Sequence, residues 1–249
     1  MTPATTRRRP GFDWLSWSLL AVMVAASALA WDRVPPELPI HWDLEGRPDG
    51  TANRDVALAL LPLTGGLLMG VFWLLARGLP VRESALVTRG VQLTSRGVLG
   101  LLTLLHLSII LSALGQAISV PRVALGGAAL LLMLIGFVLR SLPPNRLIGI
   151  RVPATLADRD IWRRVHRAAS VLFIVLGICV LAASILSVGV QLGVLMGGLT
   201  LAVVLSVIYA TRLRDGEPVE ETPATRRQSE VHLSDRAAPD DDDRPDATR

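Results

Sequence analysis

The sequence predicts an all-α fold class: a polytopic integral membrane helical bundle of about six transmembrane helices, followed by a disordered C-terminal tail. Three observations predict it. Apolar residues make up 51% of the 249 positions. They gather in blocks of roughly 18 to 24 residues, the length a helix rising about 1.5 Å per residue needs to cross about 30 Å of hydrocarbon. A soluble core would show shorter blocks with clearer amphipathic periodicity. The segment from about Arg212 onward is polar and ends in the acidic run Asp240–Asp243, too poor in apolar surface to bury a core of its own.

The first span is expected from about Trp14 to Trp31 and the second from about Val56 to Ala76. The third covers about Gly97 to Val120 and the fourth about Arg122 to Leu139, joined by a turn at Ser119-Val120-Pro121. The fifth runs from about Ala168 to Val188 and the sixth from about Val190 to Thr211, meeting near Gly189. Gly66 with Gly70, and Gly193 with Gly197, have the four-residue spacing that lets helices pack closely in lipid. The single cysteine, Cys179, lies inside an apolar block and excludes an intrachain disulfide.

Every basic side chain of the Lys/Arg class is arginine, and its placement predicts orientation. Arg7, Arg8 and Arg9 lie at the N-terminus. Arg77, Arg82, Arg89 and Arg96 separate spans two and three. Arg140, Arg146, Arg151, Arg159, Arg163, Arg164 and Arg167 separate spans four and five. With six spans these segments share one side, so both termini are expected in the cytoplasm and residues 32–55 outside. Arg7–Arg9 followed by an apolar run and Ala28-Leu29-Ala30 also has the form of a cleavable signal peptide. Trp14, Trp17 and Trp31 suit the ends of a retained helix better. The expected organisation is a cytoplasmic segment 1–13, an N-terminal membrane domain 14–96, a four-span domain 97–211 with its inward loop at 140–167, and a tail 212–249.

Two loops carry chemistry. In the outward loop, Pro35, Pro36 and Pro39 stiffen an extended start, and Gly46 with Pro48-Asp49-Gly50 supplies turns. His41, Asp43, Glu45 and Asp49 are close in sequence, but their spacing matches no standard zinc or calcium pattern. No metal or cofactor is expected. The loop reads as a compact lid, with Trp42 at headgroup level. In the inward loop, Pro143-Pro144 ends the fourth span, Asn145 forms a turn, and Gly149 permits an unusual backbone angle. Thr155 and Asp158 read as a capping box opening an interfacial helix from about Leu156 that precedes the fifth span. On that helix Trp162 and His166 are four apart and share a face. Arg159, Arg163 and Arg167 form an adjacent basic stripe, suited to anionic headgroups or to an acidic protein partner.

The run Asn145-Arg146-Leu147-Ile148-Gly149-Ile150-Arg151-Val152-Pro153-Ala154-Thr155, followed by Trp162 and His166-Arg167, resembles the signature of the SdpI family of bacterial membrane proteins. Leu38-Pro39-Ile40-His41-Trp42 with Gly46-Arg47-Pro48-Asp49-Gly50 resembles the uncharacterised domain that often precedes that signature. Together they cover about Trp14 to Thr211. Val152 and Ala154 depart from the more polar or aromatic residues usual there. The resemblance implies a multi-pass protein of the bacterial plasma membrane that protects against, or senses, a peptide toxin outside and holds a transcriptional repressor at the membrane. It implies signature positions Asn145, Gly149, Arg151, Pro153, Thr155, Trp162, His166 and Arg167, and outward positions Pro39, His41, Trp42, Gly46, Pro48 and Asp49. No direct nucleic-acid contact is implied.

Two other function classes are weaker. A small-molecule or ion transporter needs ionisable groups within its spans, and His106 is the exception in apolar surroundings. It reads more simply as a neutral histidine bonded across helices. An enzyme needs a positioned acid, base or nucleophile. His166 lies about two turns from Asp158, too far along one straight helix for that carboxylate to orient its ring, so no catalytic residue is expected.

Overall fold

The computed structural model describes residues 13–78, 85–145 and 147–216. Expectations for Arg7–Arg9, Arg82, Arg146 and the tail beyond Gly216 lie outside the described residues. The chain is a mostly helical membrane bundle. Five helices are long and apolar enough to cross a bilayer. The apolar helix α1 (Trp14–Ala30), with 17 residues, is at the short limit for crossing.

Helix α1 starts where Asp13 accepts hydrogen bonds from the Ser16 amide and, at 2.8 Å, from the Ser16 hydroxyl. The same carboxylate holds Arg96 at 3.1 Å. Beyond α1 the expected lid is a two-stranded antiparallel hairpin, a local departure from an all-α fold. Strand β1 (Glu37–Trp42) pairs with β2 (Pro48–Asn53), with Leu38 opposite Ala52 and His41 opposite Gly50. The proline-rich approach favours extended backbone, and the buried Leu38 anchors the strand on the bundle. Helix α2 (Arg54–Gly78) begins directly after β2. The Arg54 amide donates to the Pro36 carbonyl at 2.7 Å, and its guanidinium donates to the Trp31 carbonyl at 2.8 Å. The base of the hairpin is thereby tied to the end of α1.

Helix α3 (Ala85–Ala113) starts well before the expected Gly97. Arg89, Ser95 and Arg96 disguise it as a loop, yet Val87, Val91, Ser95, Leu99 and Thr103 recur every four residues on one buried face. It stops early, at Gly115, whose φ of 86° suits a glycine C-cap; the Gln116 amide donates to the Leu111 carbonyl at 3.0 Å. Helix α4 (Val120–Ser141) begins with Pro121 in its first turn. A short helix α5 (Pro153–Ala157) precedes α6 (Arg159–Ala182), a 3₁₀ turn (Ala183–Ile185) and α7 (Val188–Gly216). The expected interfacial helix is therefore not separate: the basic segment and the fifth span are one continuous helix, α6.

Close packing centres on α4 and α6. A β-carbon at Gly136 would lie 2.9 Å from the Ser170 carbonyl oxygen, and one at Gly177 would lie 2.7 Å from that of Ala129. These two glycines let the two backbones touch. The pairs expected to do this do not: nothing lies within 4 Å of a β-carbon at Gly70, Gly193 or Gly197. Arg122 on α4 donates to the Ser184 and Leu186 carbonyls, at 2.9 and 3.3 Å, pinning the start of α4 to the end of the fifth span.

One polar contact joins the first three helices. Pro62 lies inside α2 and has no N–H to give the Leu58 carbonyl four residues earlier. The Ser27 hydroxyl fills that place at 2.9 Å, and Ser27 Oγ also meets His106 Nε2 at 2.9 Å. Because the single serine proton is committed to Leu58, Nε2–H is the donor to Ser27. Ser27 therefore closes the backbone gap that Pro62 leaves, and His106 holds the serine in place.

Candidate functional site

The loop between α4 and α6 is a knot built from one helix end to the next. Pro143 and Pro144 end α4, since neither supplies an amide. Asn145 then uses its whole side chain. Its Oδ1 accepts from the Leu147 and Ile148 amides at 2.8 and 2.9 Å, and its Nδ2 donates to the Pro143 and Ile148 carbonyls at 3.0 and 3.1 Å. Only an amide offers both donors and acceptors in this arrangement.

Gly149 follows with φ of 119°, a conformation L side chains rarely adopt. It has a second constraint: a β-carbon there would collide with His166 Nε2 and lie 3.2 Å from Trp162 Cη2. The backbone therefore runs directly over the imidazole. The Ile150 amide donates to His166 Nε2 at 3.1 Å, and His166 Nδ1 donates to the Trp162 carbonyl at 2.9 Å. These two backbone partners require the neutral tautomer with the proton on Nδ1. Trp162 stacks on the ring, with centroids 3.9 Å apart and planes at 17°. The Trp162 indole N–H donates to the Leu142 carbonyl at 2.9 Å, one of the carbonyls left without a partner at the end of α4.

Thr155 completes the knot. Its hydroxyl reaches the Ile150 carbonyl at 2.8 Å and accepts from the Val152 amide at 3.1 Å. Thr155 is not the N-cap of the following helix. Asp158 is, accepting from the Asp160 and Ile161 amides. The expected capping box fails because Thr155 is already inside α5, bonded backward. The unusual Val152 and Ala154 also gain a reason. They pack with Ile150, Ile161, Val165, Ala210 and Leu213, which fastens the loop to the end of α7.

The predicted signature thus divides. Asn145, Thr155, Trp162 and His166 are buried and form this clasp, with Gly149 laid across it. Arg151, Pro153 and Arg167 are exposed and take no part in its hydrogen bonds. Pro153 opens α5. Arg159, Arg163 and Arg164 are exposed as well. The partners that sequence reasoning missed are backbone groups: the Leu142 carbonyl, the Ile150 amide and the Trp162 carbonyl. Ser27 and Pro62 were also missed; a proline inside an apolar block was the available signal.

In the hairpin, His41 Nδ1 and Asp49 Oδ1 are 2.6 Å apart across the strands, and both side chains are exposed. Asp43 organises the turn. It accepts from the Glu45 and Arg47 amides at 3.0 and 2.8 Å and from Arg47 Nε at 2.9 Å. The Arg47 amide, aided by its guanidinium, holds the Asp43 carboxyl below the usual carboxylate range, and that ion pair raises Arg47. Gly46, with φ of 82°, packs against Val188 at the start of α7. Among the described residues no group of three His, Cys, Asp or Glu side chains is placed to hold a metal ion. The Pro39 and Trp42 side chains are half-buried, while Pro48 is exposed.

Residues 141–210, which contain the clasp, match the SdpI/YfhL protein family. Residues 19–66, which contain the hairpin, match a domain of unknown function (DUF1648). The chain is 25% identical over 170 residues to the immunity protein SdpI of Bacillus subtilis (strain 168), covering 68% of this chain and 80% of that relative. No solved structure matches the chain. The SdpI/YfhL segment starts at the last residue of α4 and ends with Ala210, an α7 residue packed on the clasp.

Proposed function

We propose that this multi-pass membrane protein is an immunity and signalling protein of the SdpI type, which protects against or senses a peptide toxin and holds a transcriptional repressor at the membrane. The observation that carries the reading is the joint presence of the hairpin segment and the clasp segment in one chain similar to an immunity protein over 170 residues. The arginine bias supports an outward hairpin, an inward clasp and cytoplasmic termini. On this reading the toxin meets the hairpin around His41, Asp49 and Trp42. The repressor meets the exposed part of the signature that precedes α6, Arg151 and Pro153. The clasp residues Asn145, Gly149, Thr155, Trp162 and His166 shape that surface and do not touch the ligand.

The test is survival. A toxin-sensitive bacterium expressing this chain is challenged with secreted peptide toxins from related strains, alongside Arg151→Ala and Arg151→Glu. Protection by the wild type, lost or uncoupled from transcription in variants that accumulate normally, supports the proposal. Unchanged sensitivity to every toxin, with unchanged transcription, overturns it. A transporter reading would instead require His106→Ala to abolish a substrate gradient. His106 already serves the Ser27–Leu58 contact, which gives the histidine a structural task.

A further inference from the structure

The clasp fixes the rotation of α6 and so decides where its arginines point. Ile161, Trp162, Val165, His166 and Ala169 are buried, which leaves Arg159, Arg163, Arg164 and Arg167 on the exposed side of the same two turns. Arg163 pairs with Asp160. Among the described residues no partner holds Arg159, Arg164 or Arg167.

Depth follows from length. The span Arg159–Ile185 contains 27 residues, about 40 Å of helix, whereas hydrocarbon about 30 Å thick needs about 20 residues. The far end is marked by Arg122, whose guanidinium binds the Ser184 and Leu186 carbonyls. Counting about 20 residues back from there reaches Arg167. Arg159, Arg163 and Arg164 then fall within the roughly 10 Å of helix left over, in the headgroup layer. Helical side chains tilt toward the N-terminus, so Arg167 also reaches that layer.

We propose that the exposed face of α6 bearing Arg159, Arg164 and Arg167 is a binding surface for anionic phospholipid headgroups. A lateral helix face at headgroup depth meets lipid before it meets soluble protein, and three unpaired guanidiniums complement phosphate diesters. The inference depends neither on a toxin nor on which side of the membrane the clasp occupies.

The test uses the full-length protein in phosphatidylcholine nanodiscs, titrated with fluorescently labelled phosphatidylglycerol or, separately, labelled phosphatidylcholine. The wild type should prefer the anionic probe. The triple variant R159Q/R164Q/R167Q should lose about 100-fold of that preference, from about fivefold per arginine near an anionic surface. The triple Arg→Lys variant should retain most of it. All three side chains are exposed, so melting temperatures should match the wild type; the single variant R164Q, with a loss of about fivefold, serves if the triple variant melts early. Inorganic phosphate should not displace the labelled lipid at matched concentration, whereas displacement would identify a soluble-anion site and overturn the proposal. Equal affinity for the two labelled lipids, or an undiminished preference in the triple glutamine variant, would also overturn it. So would displacement of the lipid by a polyglutamate peptide, which would assign the face to an acidic protein.

Discussion

Removing the Ser27 hydroxyl should cost stability, and removing Pro62 should return part of it. In Ser27→Ala the Leu58 carbonyl loses its donor and His106 Nε2 loses its serine partner, each bond being 2.9 Å long in the wild type, while the Met23 backbone remains as a partner of the imidazole. An unsatisfied buried group costs about 1–3 kcal/mol in a soluble protein. Within membranes the measured coupling averages about 0.6 kcal/mol with a maximum near 1.7, because the unfolded chain also finds partners. Two lost bonds therefore predict a loss of about 1–3 kcal/mol. Pro62→Ala supplies the missing amide to the Leu58 carbonyl but does nothing for His106. In the Ser27→Ala background it should recover about 0.6–1.5 kcal/mol more than in the wild type. The propensity gained by removing proline enters both edges of the cycle and cancels. The assay is reversible unfolding of the purified protein in mixed micelles, for wild type, both single variants and the double variant. Additivity within about 0.5 kcal/mol would show that Ser27 does not repair the proline gap, and the account of His106 would fail with it.

Gly149→Ala should destabilise by at least about 2 kcal/mol, since a positive φ costs an L-residue about 1–2 kcal/mol and the new methyl also meets His166; the same micelle unfolding measures it. Asn145→Asp should cost about 1–3 kcal/mol, because a carboxylate loses the two donors to Pro143 and Ile148, and Asn145→Gln should not restore them. The hairpin turn should be acid-sensitive in one direction. The Asp43 carboxyl is depressed in the folded state, so its contribution is complete above the ordinary carboxylate pKa and is lost as pH falls through the lower folded value. Limited proteolysis at the turn should rise over that window, and Asp43→Asn should remove the pH dependence. For topology, a membrane-impermeant maleimide should label Glu45→Cys in intact cells but Arg159→Cys only after permeabilisation, both in a Cys179→Ser background.

The apolar blocks made α1, α2, α4 and α7 legible almost to their ends, because lipid-length runs have few alternatives. The start of α3 was not, since Arg89 and Arg96 read as loop until the buried Val87–Val91–Ser95–Leu99 stripe reveals the helix. The shared face of Trp162 and His166 followed from spacing alone, and their stacking matches it. What spacing could not show is that His166 is occupied on both nitrogens by main-chain groups, because backbone partners leave no mark on residue type. The hairpin was half legible. Prolines and glycines marked extension and turns, but pairing depends on Leu38 finding the bundle, which is a tertiary event.

The distinction between clasp and exposed arginines changes how the signature is to be probed. Trp162→Ala would remove a fully buried side chain, its bond to Leu142 and its stacking on His166, a loss of about 3–5 kcal/mol, so lost function there would report lost structure. Arg151 is the informative position because it is exposed and takes no part in the clasp's hydrogen bonds. The same reasoning extends to the join between the two matched segments. Neither match contains α3, yet α3 touches both: Ile110 packs with Leu38 of the hairpin, and Val87 packs with Trp162 of the clasp. The 23 residues between those contacts span about 35 Å of one continuous helix. A displacement of the hairpin that moved α3 as a rigid rod would therefore act on Trp162 before it reached the exposed Arg151. Tryptophan emission at position 162, in a chain whose other tryptophans are replaced by phenylalanine, should then respond to Leu38→Ala; an unaltered spectrum would mean that the two segments share a helix without sharing a motion.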